Sequence, residues 1–346
     1  MLDSIVIGGG QAGLATGWHL RNAGLTFTIL EACDGVGGSW PHYYDSLRLF
    51  SPVAYSSLPG LPLPGSPDAY PLRDDVVRYL QAYAQRWDLP VRTRNRVLRV
   101  SRSGAAFEVE IQGGERLATR SVIAATGSFS RPHRPDLSGL DGFKGQVLHS
   151  ANYRSAASVE GRRVVVVGGA NSAVQIAVEL SEHKRVSLAT RRPIRFVPQR
   201  VLGRDFHFWL RWSGLDRTRW LSDESTPVLD DGRCRQAVRA GRPDRRRMFK
   251  RATPDGVTWS DGKEERIDAI VLATGYRPNL DFLAPLVPID QHRRVRQRAG
   301  IADTEGLYYV GLPRQRNFAS ATLRGVGPDA GHVVNHLLRW LSDGRH

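Results

Sequence analysis

The chain of 346 residues is 41% hydrophobic and 24% charged, a globular balance that excludes disordered, collagen-like and coiled-coil proteins and leaves room for two domains. Its two cysteines, Cys33 and Cys234, and its ten dispersed His exclude a disulfide framework, a CxxC redox pair and a clustered metal site, so no metal is expected. The net charge of +15 rests on Arg, since only Lys144, Lys184, Lys250 and Lys263 are lysines; with no nucleic-acid module in the chain, it speaks for an anionic small molecule rather than nucleic acid.

The first strand is expected at Asp3–Ile7, almost at Met1, which leaves no room for a leader and points to a cytoplasmic protein. Apolar runs such as Val164-Val165-Val166-Val167 fall far short of the roughly 20 residues of a membrane span. After that first strand come Gly8-Gly9-Gly10-Gln11-Ala12-Gly13, a helix carrying Leu14, Ala15, Trp18 and Leu20, and a strand Thr26–Leu30 that ends at Glu31. This is a βαβ unit. Residues 162–190 repeat the plan: a strand to Val167, the turn Gly168-Gly169-Ala170-Asn171-Ser172-Ala173, a helix to Leu180 and a strand Val186–Ala189. A second element is also doubled, because Val122–Gly127 and Ile270–Gly275 are apolar strands ending in Ala-Thr-Gly, each followed by Arg-Pro (Arg131-Pro132 and Arg277-Pro278). A further strand at 307–311 and a helix from about Pro328 to Leu341 come after the second copy. The expected fold is therefore α/β, with two Rossmann-like dinucleotide-binding domains, residues 158–278 being inserted into a domain made of 1–157 and 279–346.

The two turns differ in what they suit. In the first, Gly8 permits the tight turn, Gly10 lets backbone approach a pyrophosphate and Gly13 lets helix pack on strand. The helix start, with Gln11 and Ala12, offers free N–H groups to phosphate. Glu31 can accept from both hydroxyls of an unphosphorylated ribose, as in FAD or NAD. In the second turn Gly168, Gly169, Asn171 and Ser172 play the same parts, while Ala170 replaces the second glycine and crowds the pyrophosphate. At the spacing that separates Glu31 from Gly8, this copy carries Arg191 and Arg192, which suit a 2′-phosphate and hence NADPH. The Thr-Gly pairs Thr126-Gly127 and Thr274-Gly275 are expected to border the two sites.

Glu31 leads into Gly35-Val36-Gly37-Gly38-Ser39-Trp40, and Phe143-Lys144-Gly145-Gln146-Val147-Leu148-His149-Ser150-Ala151-Asn152-Tyr153 lies between the turns. The second segment fits FxGxxxHxxx(Y/F). On these motifs the chain resembles the flavin-containing monooxygenases, in particular the short bacterial class B flavoproteins close to the Baeyer–Villiger enzymes. The resemblance implies FAD in the first domain, with Gly38, Ser39, Trp40 and Ser51 near the flavin, and NADPH in the second. It implies a C4a-(hydro)peroxyflavin that transfers oxygen from dioxygen to a small-molecule sulfide or amine, an arsenic compound, or a ketone. The flavin carries the chemistry, so no catalytic side chain is demanded, and His149 is expected to couple the domains at a hinge. Relatives often dimerise, which leaves a homodimer open.

One segment departs from the animal-type relatives. Where they carry Leu-x-Ser-Asn, this chain has Leu49-Phe50-Ser51-Pro52, without the amide, which keeps open an NADPH oxidase or flavin oxidoreductase releasing hydrogen peroxide. The alternative from another class is a redox-sensing module that binds FAD or NADPH without turnover. Three further stretches carry expectations. Tyr43, Tyr44, Tyr55 and Leu58 line the cleft or fill the core. Phe206, Phe208, Trp209, Trp212, Leu215 and Trp220 form a helix packed on its own domain, with a lid, a subunit contact or a membrane contact as alternatives. The basic run Arg233–Arg251 is expected as a loop that steers NADPH without gripping it.

Overall fold

The computed structural model describes residues 1–218 and 227–344; Trp220 lies outside them. β-Branched runs buried on both faces build the first sheet. Its strands are β1 (Leu2–Ile7), β2 (Phe27–Leu30), β3 (Val91–Arg92), the hairpin β4 (Val97–Ser103) and β5 (Ala106–Ile111), and β6 (Arg116–Ala124). β1 pairs in parallel with β2 and β6, and β3 extends the row beyond β2. On the far side of β6 lies Leu307–Tyr309, again parallel, so the chain returns to this sheet late.

Alternation of side chains decides which layer each strand residue joins. Val6, Ile29, Ile123 and Tyr308 face α1 (Gln11–Asn22), α2 (Arg73–Arg86) and the C-terminal helix Leu323–Ser342. Ile5, Ile7, Leu30 and Val122 face Val100 and Phe107 of the hairpin, with Leu280 and Leu283. The C-terminal helix starts a turn earlier than Pro328; the proline sits inside it with its ring toward solvent.

The second sheet is wholly parallel. It contains β8 (Gln146–His149), β9 (Arg163–Val167) and β10 (Arg185–Thr190), together with Asp244–Arg247 and Ala269–Leu272. From one edge to the other the order is Asp244–Arg247, β10, β9, Ala269–Leu272, β8. Val164 and Val166 pack against α3 (Asn171–Ser181), whereas Val165 and Val167 face Phe249, Val257 and Trp259. β8 therefore stands upstream of the boundary expected at residue 158. Its Leu148 packs with the α3 layer and its Val147 with the Trp259 layer, which places the strand in this sheet.

Two expectations are corrected here. The basic run is no loop: it forms helix Arg233–Arg239 and then the edge strand Asp244–Arg247 paired with β10. The aromatic helix, α4 (Phe206–Ser213), does not pack on its own unit alone. His207 on its buried side stacks against Phe50 and Tyr55 of the first unit. No helix among the described residues is long and apolar enough to cross a membrane.

The units are also joined by a short ribbon. β7 (Arg131–Pro132) pairs antiparallel with Tyr276–Arg277, so the segments just beyond the two Ala-Thr-Gly strands hydrogen-bond to each other.

Candidate functional site

β1 hands over to α1 through the first glycine turn. A Cβ on Gly13 would stand 1.8 Å from the Gly8 carbonyl oxygen, so only glycine permits this approach of helix to strand. Gly10 is the extended N-cap residue of α1 and supplies no side-chain cap, which leaves the first amides of the helix, from Gln11 and Ala12 onward, available to an anion. Gly37 donates its N–H to the Gly9 carbonyl at 3.1 Å, bringing Gly38 onto Gly10. Ser39 then precedes the short turn Trp40–His42, its side chain making no capping bond. Gln11 locks this assembly: its Oε1 accepts from the Trp40 indole at 3.0 Å and its Nε2 donates to the Ala321 carbonyl at 2.6 Å.

Glu31 is 4% exposed, and it is fixed beside the turn. Its Oε2 accepts from Gly9 N–H at 2.7 Å and its Oε1 from Cys33 N–H at 2.8 Å, so backbone donors orient the carboxylate expected at the ribose. Ser51 is buried, its hydroxyl 2.9 Å from that of Ser56, and Pro52 is buried behind it.

The second turn repeats the geometry. Gly168 has φ +142°, and a Cβ there would lie 2.4 Å from the Ala273 carbonyl oxygen. Gly169 borders open space near Thr190, and Ala170 is the exposed, extended N-cap of α3, again without a side-chain cap. Asn171 and Ser172 open the helix. Arg191 and Arg192 leave the end of β10 exposed. Beside them Arg245 donates to the Thr190 hydroxyl at 3.1 Å, whereas Arg246 turns to the other face, where it pairs with Glu265 at 2.9 Å and stacks on Trp259.

Both crevices carry unsatisfied buried polar atoms, which natural interiors rarely leave alone. They are Thr126 Oγ1, beside Gly127 at the end of β6, and Asn171 Oδ1 at the start of α3. Each fits a polar dinucleotide. Thr274, the counterpart of Thr126, is already engaged: its hydroxyl donates to the His133 carbonyl at 2.5 Å, and His133 N–H donates to the Gly275 carbonyl at 2.9 Å.

His149 is held at both ring nitrogens. Nδ1 accepts from Ala151 N–H at 3.1 Å and Nε2 donates to the Gly275 carbonyl at 3.0 Å, which assigns the neutral Nε2–H tautomer. Burial pushes its pKa below the ordinary value. The ring thus ties the end of β8 to the second Thr-Gly turn.

Between the crevices runs a row of aromatic rings that the sequence did not disclose. Trp40 meets Tyr43 at 5.5 Å, Tyr43 meets Phe129 at 6.1 Å, Phe129 meets Tyr276 at 5.4 Å, and Tyr276 meets His149 at 5.1 Å. Phe129 is 51% exposed within this row. Position alone was the available signal: Phe129 and Tyr276 come within two residues of the two Ala-Thr-Gly strands. Asp205 was equally hidden; its carboxylate accepts from His207 N–H at 2.7 Å and from the Tyr70 hydroxyl at 2.6 Å. Tyr44 is buried, and its hydroxyl donates to Gln175 of α3 at 2.7 Å, so it fastens the units together.

Two sheets with parallel centres, each opening through a glycine turn into an uncapped helix, define a flavoprotein oxidoreductase with two dinucleotide-binding domains. Residues 5–311 match the pyridine nucleotide-disulphide oxidoreductase family. The chain is similar to a flavin-containing monooxygenase from Stenotrophomonas maltophilia, with 34% identity, a TM-score of 0.87 and coverage of 98% of this chain and 99% of the other. It is also similar to the uncharacterized oxidoreductase CzcO of Bacillus subtilis, at 31% identity over 97% of this chain and 99% of that protein. The rice indole-3-pyruvate monooxygenase YUCCA1 is 31% identical over 96% of this chain and 91% of its own length. The chain belongs to the pyridine nucleotide-disulphide oxidoreductase family and, within it, to the bacterial flavin-containing monooxygenases. It is an NADPH-dependent flavoprotein monooxygenase with FAD and NADPH as cofactors.

Proposed function

We propose that the protein oxygenates a small soft nucleophile, a sulfide or amine, or alternatively a ketone, at the seam between the two crevices; an arsenic compound falls in the same soft class. The observation that carries this reading is the asymmetry of the crevices, one closed by the buried carboxylate of Glu31 and the other by the exposed guanidiniums of Arg191 and Arg192. The first suits the unphosphorylated ribose of FAD and the second the 2′-phosphate of NADPH. FAD would be held by Gly8, Gly10, Gln11, Ala12, Gly13, Glu31, Gly38, Ser39, Trp40, Ser51, Thr126 and Gly127. NADPH would be held by Gly168, Gly169, Ala170, Asn171, Ser172, Arg191, Arg192, Thr274 and Gly275.

When bound, FAD supplies the redox chemistry, passing electrons from NADPH to dioxygen so that one oxygen atom enters the substrate and the other leaves as water. The protein positions and shields. Uncapped amides at α1 and α3 bind phosphate. The rings of Tyr43, Phe129 and Tyr276 give the seam an apolar lining that excludes water and accepts small organic substrates. His149, with both nitrogens on backbone groups, moves no proton; it registers the second Thr-Gly turn against β8 and so couples nicotinamide binding to the seam.

Pro52 favours a second reading. It presents neither an amide side chain nor an N–H, so this position offers the flavin no hydrogen-bond donor where the animal-type relatives carry an amide. Leakage of reducing equivalents to hydrogen peroxide is the consequence. The experiment offers NADPH and dioxygen with an aryl methyl sulfide, a tertiary amine or a cyclic ketone, and measures NADPH consumed, product formed and peroxide released. Oxygenated product matching a substantial part of the NADPH is expected. Peroxide alone with every substrate class would leave an oxidase.

A further inference from the structure

Amphipathic helices normally turn their apolar stripe inward. α4 does the reverse along one side. His207 and Leu210 are buried, while half-buried Phe208 and, four residues on, Trp212, 75% exposed, lie along the outer side; exposed Leu215 opens the short turn that follows Gly214. The hairpin that precedes the helix, Arg200–Val201 paired with Arg204–Asp205, carries Leu202 at its tip, 86% exposed. Hairpin and helix form one surface: the Trp209 indole donates to the Val201 carbonyl at 2.9 Å and its ring meets Trp212 at 6.0 Å.

Among the described residues, charge around this surface has one dominant sign. Arg204 stacks over Phe208 at 5.2 Å, and Arg200 and Arg211 are exposed beside it. The nearby carboxylates of Asp205 and Asp216 are buried and face inward, toward Tyr70 and His207 in one case and Arg324 in the other. Asp68, 3.8 Å from Arg200, stands at the edge. Tryptophan and leucine flanked by arginine, on a chain of net charge +15, is the composition of a surface that settles at the headgroup level of an anionic bilayer.

We propose that the Leu202 tip and the outer side of α4 dock the enzyme on anionic lipid surfaces. The insertion is shallow, with Leu202 and Trp212 as apolar anchors and Arg204 and Arg211 engaging lipid phosphate. Because the same helix rests through His207 on Phe50 and Tyr55, docking also brings that segment of the first unit close to the bilayer.

The test is co-sedimentation of the FAD-loaded protein with vesicles of phosphatidylcholine, alone or mixed with phosphatidylglycerol, at low and high salt. Binding is expected only to the mixed vesicles and weakens with salt. The pair Leu202→Ser and Trp212→Ser lowers that binding at least about tenfold with flavin content and NADPH oxidation unchanged. Absence of binding to the mixed vesicles at low salt, or binding indifferent to the two substitutions, overturns the proposal. So does a dimer by light scattering that the same substitutions split into monomers, since the occupant of the surface would then be a second copy.

Discussion

At the residue scale, the difference between the crevices comes down to the side chains placed just beyond the second strand of each unit. Glu31 is fixed by two backbone donors, whereas Arg191 and Arg192 stand exposed at the strand end. Guanidiniums bind phosphate through charge-assisted hydrogen bonds worth about 1.5–3 kcal/mol each. Replacing Arg191 by Gln and Arg192 by His should therefore reduce the preference for NADPH over NADH, read as the ratio of kcat/KM values, by about 10- to 100-fold for each such bond lost. An unchanged ratio would move the 2′-phosphate site elsewhere. The placement of Glu31, Arg191 and Arg192 just beyond the second strand was legible in the sequence, because glycine turn, helix and strand follow one another at similar spacing in both copies. The ring row from Trp40 to His149 was not, since its members come from segments that meet only when the units dock.

The basic run at 233–251 shows how a helix or strand assigns different roles to neighbouring residues. On the strand Asp244–Arg247, alternation sends Arg245 to Thr190 and Arg246 to the opposite layer. Arg246 is then a structural residue, sandwiched between the Glu265 carboxylate and the Trp259 ring. Its replacement by Ala should lower stability by about 1–2 kcal/mol and the melting temperature with it, leaving the KM for NADPH unaltered. A raised KM with unchanged melting temperature would assign the side chain to the cofactor instead. Composition suggests a loop; the strand forms because β10 offers it an unpaired edge, which no local sequence pattern reveals. The same holds for α4: its spacing was visible, but not that its small buried side would be a histidine set between Phe50 and Tyr55.

For the whole molecule, burial holds His19, His133, His149, His332 and His336 below the ordinary imidazole pKa of 6.5. The unfolded chain therefore binds protons first as pH falls, and folding stability is full above that value and declines below it. The carboxylates of Asp205, Glu265 and Asp268, held low by their hydrogen-bonded partners, add a second decline at more acid pH, with buried Asp329 acting in the opposite sense. The melting temperature should fall from about pH 7 to about pH 5, before the acidic groups titrate; a flat profile there would mean that the histidines keep ordinary affinities in the folded protein. The two-unit plan was readable in advance because each glycine turn and Ala-Thr-Gly strand is a local signature. The membership of β8 was not, because an edge strand declares its sheet only by the neighbour it finds.

The antiparallel pairing of Arg131–Pro132 with Tyr276–Arg277 has a mechanical meaning. Outgoing and returning connections zipped side by side act as a single leaf spring instead of two independent tethers. Bending across its width costs little, while sliding one crevice lengthwise past the other would tear the pairing. With the bond from Tyr44 to Gln175, the pairing thus holds the faces of the two crevices in one register.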